Sequence, residues 1–299
     1  MWKFRAMTTD ITVAAPRLAP SAERALAASV AAMFADVDRR FSRFRDDSEL
    51  ARLNRAAQPI TTSREMIDLL CAAREHVAAS NGLFDPTIGA ALCAAGYDRS
   101  FAPGALDRPS PSTPPRRARF AELEIDERNA RVTRPAHIQI DLGGFLKGRT
   151  VDRAAAAAPA IAMIDAGGDA MLRGDGPDGD GWLVDVEDPH DPRCVLVTLR
   201  IRDRAVATSA DNRRCWRSGH GVAHHLIDPR SGAPAISDLA QVTVVAASAE
   251  QADVLAKVAF LRGAAGAGEL LCRPPANGGV LVSRGGDVEL VGELEVANA

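Results

Sequence analysis

Residues Ile140-Asp141-Leu142-Gly143-Gly144-Phe145-Leu146-Lys147-Gly148 run from an apolar segment through paired glycines to a lysine, and an alanine-rich stretch, Thr150 to Ala158, follows. The order predicts a strand, a tight turn and a helix start. Such a junction suits an anion, because glycine lets backbone N–H groups approach a ligand and a helix N-terminus carries partial positive charge. Asp141 adds a carboxylate and Lys147 an ammonium. Glycines that serve only close packing are the other explanation. Neither the GxxxxGK[ST] nor the GxGxxG spacing is present.

The rest of the chain narrows the classes. At 299 residues it is long enough for a real core. A net charge of −3 gives no footprint for nucleic acid. Aromatic residues make up only 4%, so a core of alanine, valine and leucine is expected. The five cysteines, Cys71, Cys93, Cys194, Cys215 and Cys272, include no CxxC pair, which argues against zinc and for reduced thiols. Met1 to Arg5 open no apolar signal segment and hold no lipid-attachment cysteine, and no run reaches membrane length. The expectation is a cytoplasmic protein without membrane insertion.

Periodicity predicts the elements. Phe4–Val13 reads as a strand. Leu26, Val30, Met33, Phe34, Val37 and Phe41 form one stripe of a helix opened by Ser21. Ser48 begins a short helical turn, and Thr62 with Glu65 form a capping-box pattern for a helix that Asn81-Gly82 ends. Residues 102–119, rich in proline and arginine, read as a flexible surface loop. Strands are expected at 123–125, at Val132, and over 137–142, 160–166, 182–186, 195–201, 205–208, 239–246, 279–283 and 288–291, with Gly174 to Gly181 punctuating a hairpin. Ser248 caps a last helix over 250–261.

Four further groups could carry chemistry. His224-His225 alternate sides on a strand, so one of them can face a cleft as a proton acceptor. Asp253 and Lys257 lie four apart on a helix; spacing alone makes them an exposed ion pair worth about 0.3–0.5 kcal/mol. Asp85-Pro86-Thr87 follows a helix as turn chemistry. Thr208-Ser209 ends a strand with hydroxyls able to meet phosphate or ribose.

Taken in order, these pieces resemble the FAD:protein FMN transferase family, the ApbE-type flavin transferases. The resemblance rests on Ala6-Met7-Thr8-Thr9, the segment Phe41 to Asn54, Gly82 to Thr87, Ile140 to Asp152, Asp165 to Asp169, Trp182 to Pro189, Thr208–Asp211, His225 to Gly232 and Ala252–Lys257. It implies an α+β fold with a tunnelling-fold-like β-sheet core, packed helices and a helical and loop region inserted before residue 120, as one domain over residues 1–299. It implies transfer of FMN from FAD to a threonine or serine hydroxyl of an acceptor protein, a flavoprotein or redox-complex subunit, with AMP released and Mg2+ assisting.

Carried over residue by residue, the resemblance puts catalysis on His225 and Asp253. Contacts to FAD fall on Met7, Phe44, Leu83, Phe84, Asp85, Asp141, Lys147, Thr208 and Ser209. Mg2+ falls on the Gly144 carbonyl and the Asp253 carboxylate. The pattern is broken at four places. Thr8 and Ala210 stand where glycine is usual, Phe44 where tyrosine is common, and Lys257 where a threonine hydroxyl usually meets the metal. A protonated lysine has no acceptor and cannot be a ligand; it either points away or holds part of the metal's place. The same residues would serve an FAD pyrophosphatase, or an FAD-binding protein whose metal site has degenerated.

Overall fold

The structure, a computed structural model, describes residues 1–100, 115–218 and 221–297. Its described residues form a mixed α/β fold that divides into two compact units. The first takes Met1–Asp36, Phe145–Asn212 and Ser237–Ala299, the second Val37–Gly144 and Arg213–Ile236. The inserted region expected before residue 120 is thus larger than the sequence suggested, and a second stretch, carrying the histidine pair, belongs with it.

The first unit is built on eight strands: β1 (Trp2–Ala6), β2 (Thr9–Ala14), β3 (Ala162–Ala166), β4 (Ala170–Arg173), β5 (Arg204–Ala210), β6 (Leu239–Ala246), β7 (Ala276–Ser283) and β8 (Val288–Gly292). Every neighbouring pair is antiparallel, and the order across the sheet is the order along the chain. Strand alternation sends side chains to two cores. Ile11, Val13, Ile164, Ala205, Ala207 and Ala246 pack with Val30 and Phe34 of α1 (Pro20–Phe41), Val151 and Ala154 of α5 (Leu146–Ala156), and Ala249 and Ala252 of α6 (Ala249–Leu271). The second unit holds α2 (Glu49–Arg55), α3 (Arg64–Ala79) and α4 (Gly89–Ala94). On the sheet's other face Leu172, Val206, Val245, Val280 and Val282 pack with Trp182, Val186, Leu199 and Ile201 of a separate antiparallel pair, Trp182–Glu187 with Val195–Ile201.

The two helices that matter most are clasped together. Asp152 on α5 accepts the first backbone N–H groups of α6, from Ala249 at 2.7 Å and Glu250 at 2.9 Å. Arg149 meets the Glu250 carboxylate at 3.0 Å. Gly148 faces the same helix end, where a Cβ would lie 2.5 Å from the Ala249 carbonyl oxygen.

Several expectations need correction. The strand expected over Phe4–Val13 is a hairpin, because Met7 and Thr8 both take positive φ, at 47° and 62°, as a two-residue turn of this hand requires. Helix α3 is capped by Ser63, which accepts the Met66 N–H at 3.1 Å. The Thr62–Glu65 box does not form, since Glu65 binds Arg40. No strand runs over 137–142; there is one bridge, Gln139 with Ile88. Its backbone groups are satisfied otherwise: the Asn54 side chain takes both the N–H and the carbonyl of Ile140 at 2.8 Å, and Asp141 N–H donates to the Pro86 carbonyl at 2.8 Å. Helix α5 begins at Leu146, before the expected Thr150.

Gly174, Gly176, Gly179 and Gly181 all have positive φ and turn the chain off the sheet, so β4 pairs with β5 and not with the next strand. The last helix runs to Leu271, across a break at Gly263 (φ 70°). Of the proline-rich loop, residues 101–114 lie outside the described residues.

Three outcomes follow from these contacts. A threonine in the left-handed region costs about 1–2 kcal/mol, so Thr8→Gly raises the urea midpoint by an amount equal to about 1 kcal/mol. Gly148→Ala, which would gain about 1 kcal/mol in an open helix, lowers stability here by about 2 kcal/mol or more through overpacking; urea unfolding gives the sign. Burial pushes the Asp165 carboxyl above its ordinary range, against the Gly168 N–H bond at 2.9 Å and the nearby Lys147. The folded state then binds more protons than the unfolded chain, and stability falls as pH rises through that window. Asp165→Asn therefore gains on the parent as pH rises from about 4, the ordinary aspartate value, upward. Urea midpoints across that range check it, and a constant gap contradicts it.

Candidate functional site

In the first unit the clasp sets the start of α5 beside the first turns of α6. Lys147 donates to Asp169 Oδ2, and its Nζ lies 3.9 Å from Asp253 Oδ2. Lys257, one turn beyond Asp253, donates to Asp253 Oδ1 and to the Asp253 carbonyl at 3.2 Å. Asp169 and Asp253 are each only 2% exposed. The pair expected to sit on an exposed helix face is therefore buried. Spacing placed both residues on one face, but it could not say that α5 covers that face. Two carboxylates and two ammoniums pair here, and the buried Asp165 carboxyl lies near Lys147. Asp253 Oδ2 is buried and has no hydrogen-bond partner among the described residues.

Asp169 is the member that sequence reasoning left out. In the sequence it only closes the segment Asp165 to Asp169. Gly167 and Gly168 take positive φ there and bring the aspartate into reach of Lys147. The other predicted residues of this unit lie apart from the cluster's ion pairs. Met7 sits in the β1–β2 turn against the alanine-lined core. Thr208 and Ser209 lie on β5, where the Thr208 hydroxyl is bonded to Thr243 at 2.9 Å and Ser209 is buried.

The second unit holds the remaining residues. Arg43 is the hub that sequence reasoning missed. Its Nε binds Asp141, and a terminal nitrogen donates to the Tyr97 carbonyl at 2.5 Å. Its guanidinium lies 4.0 Å from the Phe44 ring centre and 4.8 Å from that of Tyr97. Tyr97 stacks on Trp216 at 5.5 Å, and Trp216 is fixed by a 2.7 Å bond to the Ala95 carbonyl. Asp141 also accepts the Gly143 N–H at 2.6 Å. Phe44 and Asp141 are thus joined through one arginine, as cation–π and charge-assisted contacts. Burial pushes the neighbouring Cys93 thiol up, which makes it a poor nucleophile.

Leu83, Phe84 and Asp85 follow α3. Asp85 is committed to its own turn: one oxygen accepts from the Thr87 N–H at 2.9 Å and hydroxyl at 2.6 Å, the other from the Phe120 N–H at 3.0 Å. The two histidines differ in burial, and only His224 lies on the strand. His224 is buried and its ring meets the Ala235 carbonyl at 3.0 Å and the Leu226 N–H at 3.3 Å. His225 is half-buried and stands just past the strand Gly221–His224. Gly144 closes the second unit's long segment.

Magnesium does not fit the cluster as it stands. The ion requires close to six oxygens at about 2.0–2.1 Å. Of the carboxylate oxygens of Asp253, one is taken by Lys257 and the other faces Lys147. A unit charge at about 4 Å is worth about 4 kcal/mol at a near-surface dielectric. A divalent ion on Asp253 would meet that repulsion from each ammonium. No group of three or more His, Cys, Asp or Glu side chains among the described residues is placed to hold a metal ion.

Comparison with known proteins gives this geometry a context. The ApbE family model matches residues 7–282. The FAD:protein FMN transferase of Treponema pallidum is 30% identical over 239 residues, covering 73% of this chain and 66% of that protein. That of Haemophilus influenzae is 26% identical, covering 78% and 71%. The crystal structure of the ApbE protein of Thermotoga maritima superposes with a TM-score of 0.83 at 25% identity, over 97% of this chain and 96% of that one. The flavin transferase ApbE of Vibrio cholerae gives 0.79 at 23%, over the same shares. No helix among the described residues is long and apolar enough to cross a membrane. With the family model matched over residues 7–282, most of its length, the chain belongs to the ApbE family.

Proposed function

We propose that this protein transfers FMN from FAD to a threonine or serine hydroxyl of an acceptor protein and releases AMP. The family match over residues 7–282, which runs through both units, carries this reading and supports treating residues 1–299 as one transferase domain. The relatives named FAD:protein FMN transferase supply the reaction.

The acceptor oxygen forms a bond to the FMN phosphorus. The bond from that phosphorus to the bridging oxygen breaks, and AMP leaves with the electron pair. His225 takes the hydroxyl proton. Lys147 and Lys257 hold charge on the pyrophosphate, and Asp169 and Asp253 fix the two ammoniums so that no reorganisation is needed as charge develops. Phe44 and Leu83 offer apolar surface for the flavin ring, with the buried Phe84 next to Leu83 in the chain and Asp141 held at a set angle by Arg43. Met7, Asp85, Thr208 and Ser209 complete the FAD contacts in this proposal. The acceptor is a flavoprotein or redox-complex subunit, and five free thiols support a reducing, cytoplasmic setting.

The test is to incubate the protein with FAD and a threonine-bearing acceptor and weigh the acceptor. A gain of one FMN is expected. Free FMN with AMP would instead show a pyrophosphatase, and intact bound FAD a binding protein. His225→Ala lowers transfer by about a hundredfold or more while FAD affinity holds. Loss of FAD binding in that variant would remove the proton-acceptor role.

A further inference from the structure

The charged cluster of the first unit points beyond the family reaction, on the reading that FAD is the substrate. Lys257 carries three N–H donors, and two acceptors of the same residue, Asp253 Oδ1 and the Asp253 carbonyl, account for two of them. Its side chain keeps 18% of its surface exposed, so the ammonium is anchored without being closed off. Asp253 is one turn earlier on the same helix, so the pair is held by the helix geometry itself. Lys147 on α5, Asp169 between β3 and β4, and Asp253 and Lys257 on α6 already pair each ammonium with a carboxylate. A divalent ion would have to displace an ammonium to enter.

We infer that Lys257 takes the place of a divalent cation, so that this protein binds and cleaves the FAD pyrophosphate with fixed lysine ammoniums and no metal ion. An ammonium is a compact, strongly hydrated point charge. It can therefore meet pyrophosphate oxygens as a cation does. It cannot bring bound waters or recruit further oxygens. The electron balance of the transfer is unchanged: the bridging oxygen leaves with AMP, and its developing charge is met by N–H donors.

Three measurements test this on the intact protein. FAD affinity is compared in EDTA and in magnesium, and agreement within about twofold is expected; tightening by about tenfold or more with magnesium overturns the inference. Manganese binding is followed by electron paramagnetic resonance with and without FAD. No saturable binding is expected, and tight saturable binding overturns the inference. FMN transfer is then run in EDTA for the parent, Lys257→Thr and Lys257→Met. The parent keeps its activity. K257T and K257M lose about tenfold or more, and added magnesium rescues only K257T, whose hydroxyl can join Asp253 on the ion.

Parent activity that vanishes in EDTA overturns the inference even if the variants fail to fold. If no FMN is transferred in either condition, the transferase reading fails by itself. The FAD and manganese measurements still decide whether Lys257 stands in for the metal.

Discussion

Asp152 accepting the first two N–H groups of α6 is the contact on which the charged cluster depends. A helix N-terminus leaves its first donors without intrahelical partners. Here a neighbouring helix supplies the acceptor. The bond fixes α5 against α6 in both distance and rotation, and Gly148 allows the approach because no Cβ fills the gap. Burial raises the Asp152 carboxyl against the opposing pull of these N–H bonds, which shows how enclosed the junction is. On α5 Lys147 lies five residues before Asp152, and on α6 Asp253 lies about one turn after the capped N–H groups. A shift of one residue in either helix would carry these side chains about 100° away from each other.

The cluster itself illustrates why ion pairs must be judged by their cover. At i and i+4 on an open helix, Asp253 and Lys257 would be worth a few tenths of a kcal/mol. Under α5 the same pair is largely removed from solvent, and breaking it would leave a buried charge without its partner, which is costly. The second unit repeats the logic with different chemistry. Arg43, only 8% exposed in its side chain, is held by a carboxylate, a carbonyl and two aromatic faces.

Much of this was legible in the sequence where one face of an element faces one core. The stripe from Leu26 to Phe41 predicted α1, and Ser48 predicted its neighbour's cap, because both depend on local spacing. Two kinds of failure stand out: partners distant in sequence, and turns whose residues do not announce their conformation. Residues 137–142 look like a strand, but their backbone groups bind Asn54 and Pro86. Met7 and Thr8 carry no glycine to announce a left-handed turn. Of the site residues, the motifs placed Lys147, Asp253 and Lys257 on the right helices. Asp169 and Arg43 escaped notice because each acts through a partner that only the fold brings near.

The sheet of the first unit keeps chain order from edge to edge, yet β2 and β3 are separated by almost half the chain. That seam changes how the protein must assemble. Loop closure costs grow only with the logarithm of length, so the long excursion takes little from the final stability. Folding rate is another matter, since pairings between remote segments form slowly. The seam is therefore the last place to zip, and until Ile11 meets Ala166 both strands present open edges. A protein whose charged cluster needs β3, β4 and α5 together carries its aggregation risk at that seam, during synthesis rather than in the finished fold.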